Sequence, residues 1–118
     1  MKSYTEFLNE TATKAMHIEQ LAAICQKIVK EISEKVGLPL GLVQQSITLM
    51  DKPFPHLHCK REIISNGLEE DDKFLTDEAC QTFEKLSEID GLTVHTVKED
   101  EDHGNPGDLI AKTQIIKN

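Results

Sequence analysis

The chain has 118 residues, 38% of them hydrophobic, which suits one domain with one core, and no apolar run approaches the roughly 20 residues that cross a bilayer. Its formal net charge of −8 is uneven, because residues 1–60 carry a net +1 and residues 61–118 a net −9, which argues against direct binding of nucleic acid. The three cysteines form no CxxC pair, which argues against a disulfide framework and favours a reducing compartment.

The first half of the chain predicts one long helix and two strands. From about Thr13 to Val36, apolar residues recur at spacings of three and four, and Gly37 follows as a stop signal. The stripe consists of Ile18, Leu21, Cys25, Ile28, Ile32 and Val36. Residues 43–50 (VQQSITLM) alternate as a first strand, and residues 56–64 (HLHCKREII) predict a second with Leu57, Cys59 and Ile63 on one face.

The second half predicts a shorter helix and two more strands. Thr76 is placed to cap the helix, which should end at Asp90 and Gly91. Its apolar stripe consists of Ala79, Cys80, Phe83, Leu86 and Ile89. Residues 92–97 (LTVHTV) and 109–116 (LIAKTQII) predict the third and fourth strands, joined by a loop at residues 99–108 (EDEDHGNPGD).

These elements follow in the order α-β-β-α-β-β. Each helix has one apolar stripe to bury, and four short strands can form a sheet with one face available for it. The sequence therefore predicts an α+β fold in which two amphipathic helices pack on one face of a four-stranded, mainly antiparallel sheet. Residues 11–118 are expected to form this single domain.

His56 and His58 are the best candidates for a metal site. They are two residues apart in a predicted strand, so both imidazoles should emerge on one face, where a pair can bind Zn²⁺. His95 or Glu62 would have to supply a third ligand, which would make the protein a small metal-dependent enzyme. In the alternative interpretation, both histidines decorate the solvent face of the strand, and neither metal nor cofactor is bound.

No nucleophile with an adjacent base is apparent in the sequence. His58 and Cys59 are neighbours, but their side chains should point to opposite faces of a strand. Cys25 and Cys80 lie on or beside the helix stripes and are interpreted as small core residues. Because phosphate-binding glycine motifs are also missing, we expect no catalytic residue and no enzymatic activity.

Two acidic quartets lie in predicted loops. The first is Glu69, Glu70, Asp71 and Asp72, and the second is Glu99, Asp100, Glu101 and Asp102. Neither alternates its carboxylates around a glycine as a calcium loop does. The quartets could bind a basic partner surface or imitate a phosphate backbone, and the alternative is that they are solvated loop charge.

The first ten residues, MKSYTEFLNE, allow two interpretations. In the first they begin the long helix, with Ser3 as the cap, Glu6 completing a capping box, and Phe7 and Leu8 packing on the core. In the second they are a leader, because Met1-Lys2-Ser3-Tyr4, Glu6-Phe7-Leu8 and Glu10 resemble the capsid-targeting leader of the internal head proteins of T-even type bacteriophages. The resemblance covers residues 1–10 only.

The resemblance implies a life cycle and a processing site. In that family the prohead protease cuts after Glu in an aliphatic-x-Glu tripeptide, which here is Leu8-Asn9-Glu10, and the mature chain would begin at Thr11. The prohead protease and capsid core would be partners during assembly, and the protein would lie in the virion interior and then in the host cytoplasm. Such proteins can inactivate a host defence, in one known case by binding and blocking a restriction nuclease.

An acidic domain fits the role of a nuclease inhibitor better than that of a DNA condenser. The resemblance and the charge together predict a non-enzymatic inhibitor of a host restriction-type nuclease, bound through the acidic quartets to a basic protein surface. The partners expected are thus proteins, with no membrane and no direct nucleic acid. A homodimeric interaction module joined through strand edges is the third alternative.

Overall fold

The structure, a computed structural model, describes the backbone of residues 4–100 and 104–113 and, within these ranges, side chains from Ile18 onward. This part of the chain contains four α-helices, one short 3₁₀ helix and four strands. The helices are α1 (Tyr4–Val36), α2 (Leu40–Ser46), α3 (Arg61–Asn66) and α4 (Leu75–Ile89), and the 3₁₀ helix is Glu70–Asp72. The strands are β1 (Ile47–Met50), β2 (His56–Cys59), β3 (Leu92–Thr96) and β4 (Leu109–Thr113).

The four strands form one sheet in the order β1-β2-β4-β3, and all neighbouring strands are antiparallel. In the register, Ile47 of β1 lies opposite Cys59 of β2, and Cys59 lies opposite Leu109 of β4. The mixed helix and sheet content and the antiparallel sheet confirm the predicted α+β class. Strands β1 and β3 form the two edges.

Helices α1 and α4 provide much of the core. They pack against each other, α1 also contacts β1 and β2, and α4 contacts β3 and β4. Leu21, Ile28 and Ile32 of α1 are fully buried, as is Phe83 of α4. Burying a side chain of this size contributes about 1.5–3 kcal/mol, so the two apolar stripes seen in the sequence stabilise the fold.

Two segments predicted as strand are instead helical at one end. Residues 43–46 belong to α2, where Val43 and Ser46 are buried and the two glutamines between them are exposed, which is helical rather than alternating spacing. The second strand ends at Cys59, and Ile63 lies in α3, whose buried residue is Ile64. The prediction that Ile63 shares a strand face with Leu57 is therefore wrong.

Two details of α4 also differ from the prediction. The residue at its N-cap is Phe74, whereas Thr76 lies inside the first turn with a buried hydroxyl that has no hydrogen-bond partner among the described residues. Ile89 is 77% exposed. At 3.6 residues per turn Ile89 points about 120° away from Phe83, whereas Ser87 points only about 40° away and takes the buried position.

The central strands β2 and β4 bury side chains on both faces of the sheet. Leu57 and Cys59 of β2 belong to the main hydrophobic core. His56, His58 and Ile110 alternate with the core-facing residues and are buried outside that cluster. The connection between β3 and β4 reaches this second face, and the candidate site lies there.

Candidate functional site

Both histidines are buried, and the connection between β3 and β4 lies against His58. Relative exposures of 3% for His56 and 5% for His58 correct the interpretation that both rings lie on a solvent face. The ring centroids are 6.2 Å apart, and Nδ1 of His56 lies 2.7 Å from the carbonyl oxygen of Phe54. The alternation of side chains in β2 predicted that the two rings share a face. It could not predict their burial, because the covering loop lies far along the chain.

Asp108, at the end of that loop, joins His58 to the backbone on either side. Its Oδ2 lies 2.8 Å from Nε2 of His58 and accepts a hydrogen bond from the backbone N–H of Asn105 at 3.2 Å. Its Oδ1 accepts from the backbone N–H of Arg61 at 3.1 Å. We call His58, Arg61, Asn105 and Asp108 the Asp108 cluster. Sequence reasoning missed it, because nothing local marks Asp108 as the partner of a histidine in another strand.

Gly104 permits the loop to approach the histidine ring. A Cβ atom at this position would lie 2.6 Å from Cε1 and 2.8 Å from Nε2 of His58, and 3.1 Å from Oδ2 of Asp108. The backbone of Gly104 therefore covers the His58–Asp108 hydrogen bond so closely that no side chain fits. The sequence predicted a loop at residues 99–108, and the structure assigns its first glycine this covering role.

Arg61 separates two clefts. Its guanidinium forms an ion pair with Asp77 of α4. The first cleft, of about 370 Å³, includes Glu62, Ser65, Lys73 and the buried Thr76. The second cleft, of about 260 Å³, is lined by Arg61, Asp77, Cys80, Gln81, Glu84, Thr96, Gly107 and Leu109. Charged side chains thus line both clefts, although the residues come from helices and loops that are distant in sequence.

Cys80 of α4 lines the second cleft, and its pKa depends on Cys59 and Arg61. The Cys59 hydrogen bond and the nearby Arg61 charge outweigh the effect of burial and lower the pKa of Cys80 to about 7. Hydrogen bonding to Cys80, together with burial, raises the pKa of Cys59. Cys25 is half-buried, and burial raises its pKa.

The predicted third metal ligands do not converge on the histidine pair. His95 of β3 and His58 of β2 both lie opposite Ile110, so a whole strand separates them and their Cα atoms are about 10 Å apart. Oε2 of Glu62 accepts a hydrogen bond from the Asn105 side chain at 3.4 Å. Among the side chains that the structure describes, no group of three His, Cys, Asp or Glu residues could hold a metal ion.

Six residues of the acidic quartets are described, and all six are exposed. They are Glu69, Glu70, Asp71, Asp72, Glu99 and Asp100, whereas Glu101 and Asp102 lie outside the described residues. Lys73 directly follows the first quartet, and Asn105 and Pro106 follow the second; all three line the first cleft. Residues that follow the two quartets thus line the same cleft, and we call the six exposed carboxylates together the acidic surface.

The leader prediction falls on residues whose side chains are not described. The backbone from Tyr4 through Glu10 is helical and continues into the rest of α1, while Ser3 lies outside the described residues. Two further aliphatic-x-Glu tripeptides, at residues 32–34 and 86–88, lie within α1 and α4, where Ile32 and Leu86 are buried. The third begins at the half-buried Leu68.

Comparisons of the chain with protein-family models, curated proteins and solved structures returned no match. Within the described part of the chain, no helix combines the length and apolar character that a bilayer span requires.

Proposed function

We propose that the chain is an internal head protein of a T-even type bacteriophage that inhibits a host restriction-type nuclease. Residues 1–10 direct it into the prohead and are removed after Glu10, at the tripeptide Leu8-Asn9-Glu10. The mature domain travels with the DNA, enters the host cytoplasm and binds the nuclease without chemical turnover. The two long helices α1 and α4 cover one face of the sheet in this domain and leave the loops that carry the acidic surface available to the partner.

The observation that carries this proposal is the exposure of the acidic surface. All six described carboxylates are solvent-exposed, and none forms an ion pair with another described residue. Residues 61–118 carry a net charge of −9, so the repulsion among these groups is not neutralised within their half of the chain. A partner with a basic surface would relieve that repulsion and would be steered toward it.

A nuclease fits this chemistry because it must present a basic surface to the DNA backbone. Exposed carboxylates of the first quartet and of the β3–β4 connection can occupy that surface and exclude DNA. The contact needs no catalytic residue on the inhibitor, so inhibition should be stoichiometric and should weaken as salt screens the charges, with a Debye length of about 8 Å at physiological ionic strength.

The proposed processing site lies within helix α1. The helical backbone of α1 extends from Tyr4 to Val36, so cleavage after Glu10 would shorten this helix.

The test is inhibition of a panel of purified restriction nucleases by the chain beginning at Thr11. In one variant, the first quartet is neutralised by Glu69→Gln, Glu70→Gln, Asp71→Asn and Asp72→Asn. A matched control removes as many exposed carboxylates elsewhere, by Glu19→Gln, Glu34→Gln, Asp51→Asn and Glu88→Gln. The proposal predicts loss of inhibition in the quartet variant and retention in the control. Retained inhibition in both would contradict a role for the first quartet.

A further inference from the structure

The first cleft contains a buried hydroxyl that no described residue satisfies. Thr76 lies in the first turn of α4, is 3% exposed and lines this cleft. Its Oγ1 has no hydrogen-bond partner in the part of the chain that the structure describes. Buried polar groups are nearly always hydrogen-bonded in folded proteins, because an unpaired one destabilises the fold. The Thr76 hydroxyl therefore marks a place where a bound group can supply the missing contact.

Lys73 brings a positive charge to the same cleft. It precedes Thr76 by three residues, and the backbone N–H of Thr76 donates to the carbonyl oxygen of Lys73 at 3.1 Å. Nζ of Lys73 donates to the carbonyl oxygen of Ser65, also at 3.1 Å, and an ammonium has further N–H groups to donate. Although Lys73 directly follows the first acidic quartet, it forms no ion pair with the carboxylate of any described residue. Its charge is thus available to a ligand.

The other charged side chains of this cleft already have partners. Arg61 forms an ion pair with Asp77. Both carboxylate oxygens of Asp108 are held within the Asp108 cluster, and Oε2 of Glu62 accepts a hydrogen bond from the Asn105 side chain. The groups left for a ligand therefore include a cation and a hydroxyl. They lie at the N-terminus of the 15-residue helix α4, where the helix dipole also favours an anion.

We propose that the first cleft binds the phosphate group of a small molecule, with Lys73 and Thr76 as its main contacts. The ammonium of Lys73 offsets the phosphate charge, and the Thr76 hydroxyl donates to one phosphate oxygen. The Ser65 hydroxyl and the Asn66 amide also line the cleft and can donate to the remaining oxygens. The cleft volume of about 370 Å³ is that of a small-molecule site, and it leaves room for the rest of a phosphorylated ligand.

A phosphate of the DNA backbone is a poorer occupant than a small free phosphate. The first acidic quartet directly precedes Lys73, and the exposed Glu99 and Asp100 belong to the connection that brings Asn105 to the cleft. A duplex carries one negative charge per roughly 1.7 Å of its axis and would meet these carboxylates along its length. A small ligand brings only its own charge into the cleft. This site goes beyond nuclease inhibition and does not depend on it.

The test titrates inorganic phosphate into the full-length protein near pH 7 and follows the backbone amide NMR signals. The signals of Lys73 and Thr76 should shift and reach saturation, whereas sodium chloride at matched ionic strength should not shift them in this way. A short DNA duplex at the same concentration of phosphate groups should leave them unchanged. A phosphate titration without saturable shifts would overturn the proposal, as would a duplex that shifts the same signals.

Two substitutions separate phosphate binding from folding. Thr76→Val removes a hydroxyl that has no partner to lose, so the stability should stay the same or rise, while phosphate affinity falls by at least about fivefold. Lys73→Gln should weaken phosphate binding by about tenfold. The matched control Lys85→Gln removes an exposed charge of α4 outside the cleft and should bind as wild type does. Wild-type affinity in both Thr76→Val and Lys73→Gln would overturn the proposed site.

Discussion

Nε2 of His58 and Oδ2 of Asp108 lie 2.8 Å apart in a buried contact between residues that are 50 positions apart in the chain. The contact holds the β3–β4 connection, which carries the second acidic quartet, against the central strand β2. It also places Asp108 within reach of the backbone N–H of Arg61. The position of the loop that carries the second quartet therefore depends on this one carboxylate.

Removing the Asp108 carboxylate should destabilise the fold. Asp108→Ala leaves the N–H groups of Arg61 and Asn105 and the ring of His58 without their acceptor, and a buried unpaired donor costs about 1–3 kcal/mol. We expect a loss of roughly 3 kcal/mol in the free energy of unfolding, measured by urea titration. Asp100→Ala, an exposed change in the same loop, should stay within about 0.5 kcal/mol. Equal effects would contradict the anchoring role.

Gly104 should tolerate no side chain. Gly104→Ala brings a methyl group to 2.6 Å from His58, so the loop or the ring must move, at a cost of roughly 1–3 kcal/mol. Gly41→Ala is the control, because nothing lies within 4 Å of its added Cβ in helix α2, where alanine favours helix by about 0.5–1 kcal/mol. Thermal unfolding of both variants measures the difference in stability. A neutral Gly104→Ala would show that the loop does not cover His58 closely.

Substitution by alanine should destabilise the fold far more at Phe83 of α4 than at Phe74, which precedes α4. Phe83 is fully buried between the helices and the sheet, and Phe83→Ala should cost about 3–5 kcal/mol. Phe74 is 60% exposed, and Phe74→Ala should change the stability by less than about 1 kcal/mol. Denaturant titration of both proteins measures the contrast, and similar losses would contradict the described packing of α4.

Arg61 should control the reactivity of Cys80. Arg61→Gln removes a positive charge that lowers the pKa of Cys80, so this pKa should rise from about 7 toward the ordinary 9.0. The thiolate fraction near pH 7 then falls, and alkylation of Cys80 should slow by roughly threefold to tenfold. The pH dependence of the rate, followed by peptide mass spectrometry, tests this expectation.

A matched variant controls for charge. Lys85→Gln removes an exposed positive charge from the same helix as Cys80 but takes no part in its hydrogen bonding. Its alkylation profile should match that of wild type. A profile that shifts as far with Lys85→Gln as with Arg61→Gln would mean that general charge, and not the Arg61 contact, sets the reactivity.

Sequence patterns captured the parts of the fold that local periodicity determines. The stripe from Leu21 to Ile32 required a helix with one buried face, and LTVHT alternated as a strand. The short helices α2 and α3 were missed because each spans seven residues or fewer and offers little periodicity to read. Ile89 was misassigned because a spacing of three from Leu86 drifts off the buried face by the end of a helix.

The site was less accessible to sequence reasoning because its contacts are long-range. His58 and Asp108 come from separate elements, as do Cys59 and Cys80, and no motif links either pair. The acidic quartets could be predicted as exposed charge, whereas the common cleft that Lys73 and Asn105 line follows from the tertiary fold. The candidate leader differs from these contacts, because it was identified from the sequence of residues 1–10 alone.

The most direct test of the proposed function is processing by a T-even type prohead protease, followed by intact mass and N-terminal sequencing. We predict a single cut after Glu10, a mature chain that begins at Thr11, and no cut in a Glu10→Ala variant. An intact wild-type chain, under conditions in which the protease removes a known leader, would contradict packaging through residues 1–10 and with it the assignment as an internal head protein.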